Sequence, residues 1–270
     1  MRKIVIFSDL DGTLLDHRSY SHAAAREALA ALKDQGVPLV LASSKTASEI
    51  APLRAELGFA HCPAIVENGA GILQPARGID AHIDERDYNR LVAAVMALPG
   101  AVRRGFRGFS DMSAGEVAEI TGLSLGDAAN AKMRQFSEPG LWSGDDEGRA
   151  RFLAALAPAG IVAKQGGRFL TLSFGGTKAD RMADLAASLA DGGTPFVVAL
   201  GDAPNDAEML GQADIGVIVA NPSAPPMPDI AVRPGAAILR TRDEGPAGWN
   251  AAILAILADS EGASSAPAFQ

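Results

Sequence analysis

The sequence predicts an α/β protein: a doubly wound parallel sheet with a second, α+β domain inserted into it. Two observations support this prediction. Short apolar runs alternate with helical patterns near both ends of the chain, which is typical of a parallel sheet covered by helices on both faces. That rhythm changes in the middle, where helical stretches are separated by Gly-rich and polar turns. We therefore predict a Rossmann-like core from residues 1–82 and 172–270 and an inserted α+β domain from residues 83–171.

The first part of the predicted core contains two strands and two helices. The apolar run at residues 4–7 predicts a strand, and a second strand is predicted at 37–42. Between them, Ser21 is placed to cap a helix that extends to Leu32. Thr46 and Glu49 have the spacing of a capping box, which predicts a second helix ending at Gly58.

The rest of the chain continues the pattern after the insertion. We predict helices at residues 178–190 and 205–210 and strands at 196–200 and 215–219. In the inserted domain, we predict helices at residues 88–98 and 149–156 and an antiparallel strand at 168–174. The Ser-, Ala- and Pro-rich end, residues 260–270, predicts a frayed tail.

Composition narrows the class of protein. The chain has 270 residues, 48% of them hydrophobic, and no run approaches the roughly 20 apolar residues of a membrane span. A formal net charge of −8 argues against a nucleic-acid partner. The first apolar run ends at Phe7, too early for a signal peptide, and the single cysteine, Cys62, fits a reducing cytoplasm. We expect a cytoplasmic protein with no membrane partner, and the sequence leaves its oligomeric state open.

Charge is unevenly distributed along the chain. Residues 83–168 contain 11 Lys and Arg and 11 Asp and Glu, so the net negative charge lies on the flanking segments. An acidic core can still accept an anionic substrate if a metal ion neutralises its carboxylates and a less acidic domain supplies arginines.

Two carboxylates follow the first predicted strand. Asp9 and Asp11 are two residues apart, so on an extended segment they face the same way, and Gly12 permits a sharp turn. Ligands of open parallel sheets bind at the carboxyl ends of the strands. This arrangement indicates an aspartate nucleophile with an acid/base partner, although Asp-Gly is also a common turn dipeptide.

Three more polar groups follow at strand ends or helix starts. Ser43, Ser44 and Lys45 open a helix, where hydroxyls and free N–H groups suit an anion, although an ordinary helix cap has the same composition. Lys178 also opens a helix, and alone it would be interpreted as an exposed lysine. Asp202, Asn205 and Asp206 surround a tight turn and offer the hard oxygen ligands that Mg²⁺ prefers.

Taken together, these motifs resemble those of the haloacid dehalogenase superfamily of phosphatases. The four motifs of that family match Asp9–Thr13, Ser43, Lys178 and Gly201–Asp206, and the insertion resembles the α/β cap of one of its subgroups. The resemblance implies that Asp9 is the nucleophile, that Asp11 is the general acid and base, and that Ser43 and Lys178 hold the phosphate. It also implies a Mg²⁺ ion bound by Asp9, the backbone carbonyl of Asp11 and Asp202, with Asp206 and Asn205 behind them.

A narrower resemblance points to a substrate. Segments 43–46, 67–70, 167–169 and 241–246, together with Trp249, look like the mannosyl-3-phosphoglycerate phosphatase branch. Many relatives outside that branch have Thr-Gly-Arg where this chain has Ser43-Ser44-Lys45. The resemblance implies substrate contacts from Ser44, Lys45 and the cap residue Arg168, which could grip a carboxylate.

Several alternatives remain at this stage. The substrate could be glucosyl-3-phosphoglycerate or another small anionic sugar phosphate, because the core motifs do not distinguish hexoses. A phosphomutase uses the same nucleophile. Outside enzymes, a phosphate-binding regulator also places acids at strand ends, but the insertion and the Asp11 partner argue against it.

Overall fold

A computed structural model describes residues 2–75 and 86–260. The predicted boundary between residues 82 and 83, and the predicted tail after residue 260, lie outside the described residues. The strands are β1 (Arg2–Ser8), β2 (Leu39–Ala42), β3 (Ala64–Val66), β4 (Gly71–Leu73), β5 (Phe106–Gly108), β6 (Ser137–Trp142), β7 (Val162–Gly166), β8 (Phe169–Ser173), β9 (Thr194–Gly201), β10 (Ile215–Ala220) and β11 (Ala237–Glu244). The helices are α1 (Arg26–Asp34), α2 (Ala47–Glu56), α3 (Arg86–Ala97), α4 (Gly100–Arg103), α5 (Ala114–Thr121), α6 (Leu125–Lys132), α7 (Asp146–Leu156), α8 (Lys178–Leu189), α9 (Ala207–Gln212) and α10 (Gly245–Ser260).

A seven-stranded sheet forms the core, in the order β11-β10-β9-β1-β2-β3-β4. The pairings from β11 through β3 are parallel, which confirms the predicted α/β class. The strand order reverses direction at β1, because the chain continues to β2 on one side and returns with β9 on the other. Such a switch point is where open α/β sheets bind ligands, and Asp9 follows β1 directly.

Continuous apolar runs explain why these strands are central. Val5, Ile6 and Phe7 of β1 have no exposed surface, as expected for a strand covered on both faces. Val5 and Phe7 share a buried cluster with Met182 of α8 and Met209 of α9. Packing against helices therefore fixes β1, and with it the start of the loop that carries Asp9.

Of the two predicted helix caps, one is present and the other is not. The Thr46–Glu49 capping box is present, with the Thr46 N–H donating to Glu49 Oε2 at 2.8 Å and the Glu49 N–H donating to Thr46 Oγ1 at 3.3 Å. The prediction that Ser21 caps the first helix was wrong. Its hydroxyl accepts from the Ala23 N–H, and a 3₁₀ turn at Ala23–Ala25 precedes α1. The N-cap of this turn is His22 and that of α1 is Ala25, and neither side chain makes a capping hydrogen bond.

The inserted segment contains an antiparallel four-stranded sheet in the order β5-β6-β8-β7. Its helices α3 and α7 bury Leu91, Phe152 and Leu156 in one cluster with Leu170 and Leu172 of β8. A second cluster gathers apolar residues of the α5–α6 region around Phe109 and Val117. These clusters give the inserted segment a core of its own.

The described residues form two compact units. The first consists of the described parts of Met1–Ser43, Arg54–Ile65 and Lys178–Gln270, and the second of those of Ser44–Leu53 and Val66–Thr177. Throughout the part of the chain that the structure describes, no helix is long and apolar enough to cross a bilayer.

Candidate active site

Backbone hydrogen bonds hold the loop after β1 in place. The Asp9 N–H donates to the Leu200 carbonyl of β9 at 2.9 Å, and the Gly12 N–H donates to the Leu15 carbonyl at 2.9 Å. Gly12 has φ +82°, and a Cβ at this position would lie 2.3 Å from Asn221 Nδ2 and 2.7 Å from Asp202 Oδ2. Glycine is required here both for its backbone conformation and for the close approach of the Asp202 carboxylate.

Lys178 lies between two of the predicted acids. Its Nζ is 2.5 Å from Asp9 Oδ1 and 2.7 Å from Asp206 Oδ1, and all three residues are buried. The lysine is the first residue of α8, which follows closely after two glycines with positive φ, Gly175 and Gly176. The structure thus excludes the interpretation of Lys178 as an exposed helix lysine.

Asp202 is oriented by two neighbours. Thr13 Oγ1 donates to Asp202 Oδ1 at 2.6 Å, and Asn221 Nδ2 donates to Asp202 Oδ2 at 2.7 Å. Each carboxylate oxygen retains a second lone pair for another partner. Sequence reasoning missed Asn221, which begins a Pro-rich loop after β10. A polar side chain directly after a buried strand was the available signal, and Ser43 likewise follows a predicted strand.

Asp206 has a different environment from Asp202. Its Oδ2 accepts from the backbone N–H groups of Asp202 at 3.3 Å and Ala203 at 3.2 Å, while its Oδ1 binds Lys178. The carboxylate therefore closes the turn after β9 and anchors the lysine. This geometry favours a role for Asp206 behind the metal ligands more than as a ligand with free oxygens.

Burial and neighbouring charges shift the pKa values of Asp9, Asp202 and Lys178. Desolvation raises the pKa of Asp9 well above its usual value; Lys178 opposes the shift, and Asp206 adds to it. Burial likewise raises the pKa of Asp202, against the hydrogen bonds from Thr13 and Asn221. Burial lowers the pKa of Lys178, but the two carboxylates outweigh it and the net shift is upward. Lys178 is therefore positively charged at neutral pH.

The residues present fit a divalent cation. Asp9, Asp202 and Asp206 each offer a carboxylate oxygen, and these oxygens lie within 4.8 Å of one another. When all are ionised, three carboxylates and one ammonium leave two uncompensated negative charges in a buried site. Buried charge without a partner is strongly unfavourable, and a doubly charged ion with a preference for oxygen ligands balances it.

Ser43 and Asp11 complete the predicted residues of the first unit. Ser43 is 1% exposed at the end of β2, and its N–H donates to the Ile65 carbonyl at 3.0 Å. Asp11 lies on the β1 loop, where its backbone forms a bridge with Leu15. It is less buried than Asp9.

Ser44 and Lys45 belong to the second unit, where their backbone is held by a buried ion pair. The Lys45 carbonyl accepts from the Glu67 N–H at 3.0 Å, and the Ser44 carbonyl accepts from Arg134 Nη1 at 3.4 Å. Arg134 Nε lies 3.2 Å from Glu67 Oε2. Glu67 also accepts from Ser137 Oγ at 2.6 Å. In the sequence, Glu67 stood out only as part of the segment 67–70 that carries the narrower resemblance.

Arg168 also lies in the second unit, just before β8. One of its Nη atoms donates to the Ile120 carbonyl, and its guanidinium carbon lies 6.0 Å from the centroid of the Phe169 ring. The side chain is exposed, so its other donors can reach a ligand.

Comparison with known proteins identifies the family of this chain. The family model for haloacid dehalogenase-like hydrolases matches residues 6–97. A glucosyl-3-phosphoglycerate/mannosyl-3-phosphoglycerate phosphatase of Persephonella marina is 33% identical over 96% of this chain and 98% of its own length. The chain therefore belongs to the haloacid dehalogenase-like hydrolases, and it is a phosphatase.

Solved structures show the same fold. A haloacid dehalogenase-like hydrolase from Bacteroides thetaiotaomicron superposes with a TM-score of 0.58 at 20% identity, over 95% of this chain and 100% of that one. The sucrose-phosphatase of Synechocystis, solved with sucrose and phosphate, superposes with a TM-score of 0.57 at 16% identity, over 94% of this chain and 98% of that one.

Proposed function

We propose that this phosphatase is a Mg²⁺-dependent phosphomonoesterase that removes the phosphate of a hexosyl-3-phosphoglycerate, with mannosyl-3-phosphoglycerate as the preferred substrate. The observation that carries the proposal is the buried group formed by Asp9, Lys178, Asp202 and Asp206 at the switch point of the sheet. The name of the Persephonella relative supports the substrate class.

In this proposal Asp9 supplies the nucleophile. One carboxylate oxygen attacks phosphorus, the bond to the leaving oxygen breaks, and an aspartyl-phosphate forms. Lys178, held 2.5 Å from Asp9 Oδ1, orients the carboxylate and offsets the charge of the incoming phosphate. Asp9, Asp202 and the Asp11 backbone carbonyl would hold the Mg²⁺ ion, which would supply further charge neutralisation. Ser43 would hold a phosphoryl oxygen.

Asp11 moves the protons. It donates a proton to the leaving alkoxide in the first step and takes one from water in the second. That water attacks the aspartyl-phosphate, inorganic phosphate leaves, and the Asp9 carboxylate is restored. Both steps use the same residue in opposite protonation states, so one acid/base group is sufficient.

We further propose that specificity comes from the second unit, with Ser44, Lys45 and Arg168 as substrate contacts. A 3-phosphoglycerate glycoside carries a carboxylate beside its phosphate, and an arginine can bind a carboxylate through two parallel hydrogen bonds. The exposed guanidinium of Arg168 is the candidate. The core group of acids does not select among hexoses.

The first experiment tests catalysis. Released phosphate is measured with Mg²⁺ and mannosyl- or glucosyl-3-phosphoglycerate side by side, for the wild type, Asp9→Asn, and the control Asp184→Asn, which alters an exposed acid of α8. We expect many turnovers from the wild type and the control, and none from Asp9→Asn. Release of at most one equivalent by the wild type would indicate a phosphate-binding regulator instead.

The second experiment tests the carboxylate contact. Arg168→Ala and the control Arg151→Ala, an exposed arginine of α7, are assayed with the preferred glycoside and with a hexose phosphate that lacks the carboxylate. We expect Arg168→Ala to lower kcat/KM about 10- to 100-fold for the glycoside alone, the size of a lost charged hydrogen bond. An unchanged kcat/KM for the glycoside would contradict the assignment.

A further inference from the structure

Two hydrogen bonds hold the backbone of Asp9, and the one from Ser8 is itself supported by Trp249. Its N–H is fixed by the Leu200 carbonyl of β9. Its carbonyl accepts a hydrogen bond from Ser8 Oγ at 2.7 Å. Ser8 Oγ in turn accepts from Trp249 Nε1 of α10 at 2.9 Å. The Ser8 and Trp249 side chains are both fully buried.

We call the two hydrogen bonds that link Trp249 through Ser8 to the Asp9 carbonyl the relay. Which group donates and which accepts at each step follows from the groups themselves. An indole N–H can only donate, so the Ser8 hydroxyl must be the acceptor in its contact with Trp249. Its single hydrogen is then available for the Asp9 carbonyl. A hydroxyl with no such partner could rotate to other acceptors, whereas here Trp249 restricts it to one orientation. The relay therefore restricts the backbone conformation at the end of β1, and with it the position of the Asp9 side chain.

Gly248 allows the start of α10 to approach the end of β11 closely, and Gly245 lies at ordinary contact distance from the loop that carries Asp9. A Cβ on Gly248 would lie 2.1 Å from the Asp243 carbonyl oxygen, and a Cβ on Gly245 would lie 3.8 Å from the Gly12 carbonyl oxygen. The start of α10 thus packs against the end of β11 and beside the loop that carries Asp9. The tight contact at Gly248 fixes the position of Trp249, which follows it directly.

We propose that Ser8 and Trp249 are positioning residues for the Asp9 nucleophile. Neither touches the substrate, and the inference rests on the proposed role of Asp9. A displacement of a reacting group by about 1 Å can lower a rate by about 100-fold. Loss of the relay should therefore slow attack on phosphorus while leaving substrate binding intact.

The test uses the full-length protein and removes one hydrogen-bonding group at a time. Trp249→Phe removes the indole N–H, Ser8→Ala removes the hydroxyl, and a double variant removes both. Trp142→Phe is the matched control, because Trp142 is the other of the two tryptophans and its Nε1 donates to the Asp145 carbonyl in the second unit. Phosphate release is measured with Mg²⁺ and the preferred glycoside, well below each melting temperature.

We expect kcat to fall about tenfold in Trp249→Phe and in Ser8→Ala, with KM within about twofold of the wild type. The double variant should be no slower than the slower single variant, because both changes break the same relay. Binding of fluoroberyllate, a mimic of the aspartyl-phosphate, should weaken in the same variants. Trp142→Phe should keep the wild-type kcat and fluoroberyllate affinity.

A wild-type kcat in both single variants would overturn the inference, even if their melting temperatures fall, since that result defines a purely structural role. Additive losses in the double variant would also contradict a shared relay. If Trp249→Phe does not fold, benzothienylalanine at position 249 removes the N–H and keeps the ring size. A wild-type protein with no phosphatase activity would instead refute the proposed function, which separates the two failures.

Discussion

At the scale of single residues, the site depends on side chains that orient the acids as much as on the acids themselves. Asp202 is held by Thr13 and Asn221 at 2.6 and 2.7 Å, and Asp9 and Asp206 share Lys178. Such outer contacts fix which lone pairs face the centre of the site. Without them Asp9 and Asp202 could rotate, which would lower the affinity of the site for a metal ion.

Asn221 gives a direct prediction. Removing its amide in Asn221→Ala frees one oxygen of Asp202 to rotate, so the Mg²⁺ concentration for half-maximal phosphate release should rise about 10-fold or more, as for other residues behind metal ligands. Asn250→Ala is the control, because that asparagine lies in the same unit but accepts from the Ala28 N–H. An unchanged Mg²⁺ requirement in Asn221→Ala would show that Thr13 alone orients the carboxylate.

The same residues show what sequence reasoning can and cannot find. Asp9, Asp11 and Lys178 follow apolar runs or open helices, so their positions could be predicted, and the structure places Asp9 and Lys178 in contact. Asn221 stands in a loop with several prolines, where an asparagine is ordinary. Its contact with Asp202 arises because β10 and β9 are neighbours in the sheet, and strand order is not visible in one sequence.

At the scale of elements, strands with regular apolar runs were predictable and irregular ones were not. β1, β9 and β10 were predicted within two residues at each end. β6 was not predicted, because it contains Pro139 and Gly140. The strand pairing and packing explain why Pro139 and Gly140 are tolerated in β6. β5 pairs with residues 140–142 only, leaving Pro139 beyond its end, and a Cβ on Gly140 would lie 2.4 Å from the Phe106 ring. Tertiary packing overrides local preference here.

The Glu67–Arg134 pair predicts a large effect on the second unit. Arg134→Met leaves the Glu67 carboxylate buried without its charge partner, which should lower the free energy of unfolding by about 3–5 kcal/mol. Adding Glu67→Gln should recover part of the loss, because it removes the uncompensated charge. Urea unfolding followed by circular dichroism measures both changes.

The matched control for this pair is Arg151→Met, which breaks an exposed ion pair with Glu147. That change should alter the free energy of unfolding by less than about 1 kcal/mol. Equal effects of Arg134→Met and Arg151→Met would contradict a stabilising role for the buried pair.

Helix α5 provides a pH-dependent prediction. Hydrogen bonds from Ser113 and from Arg107 lower the pKa of Glu116 from 4.5 to about 2. A lowered pKa in the folded state stabilises the fold above the unfolded pKa, and this contribution is lost as the pH falls from 4.5 through 2. Glu116→Gln should therefore lower the melting temperature at neutral pH, and the difference from the wild type should shrink as the pH falls towards the folded pKa. Glu119→Gln, an exposed change on the same helix, is the matched control.

At the scale of the whole molecule, the fold encloses a charge imbalance that a bound cation would relieve. The chain carries a formal net charge of −8, and the site concentrates three carboxylates around one buried lysine. Evolution commonly retains such destabilising groups where function requires them. Stability should then depend on what occupies the site, and an ion that binds only the folded state stabilises it by mass action.

Thermal unfolding tests this dependence. Mg²⁺ at about 100 times its dissociation constant should stabilise the protein by about 2.7 kcal/mol, and EDTA should reverse the effect. Asp202→Asn removes one of the repelling charges, so this variant should melt at or above the wild-type temperature in EDTA and gain little from Mg²⁺. Asp184→Asn, which changes an exposed acid away from the group, should respond to Mg²⁺ as the wild type does. The opposite result, a lower melting temperature for Asp202→Asn than for the wild type in EDTA, would contradict this prediction. It would mean that the hydrogen bonds from Thr13 and Asn221 stabilise the ionised carboxylate more than its neighbours repel it, so that repulsion among the acids does not destabilise the fold.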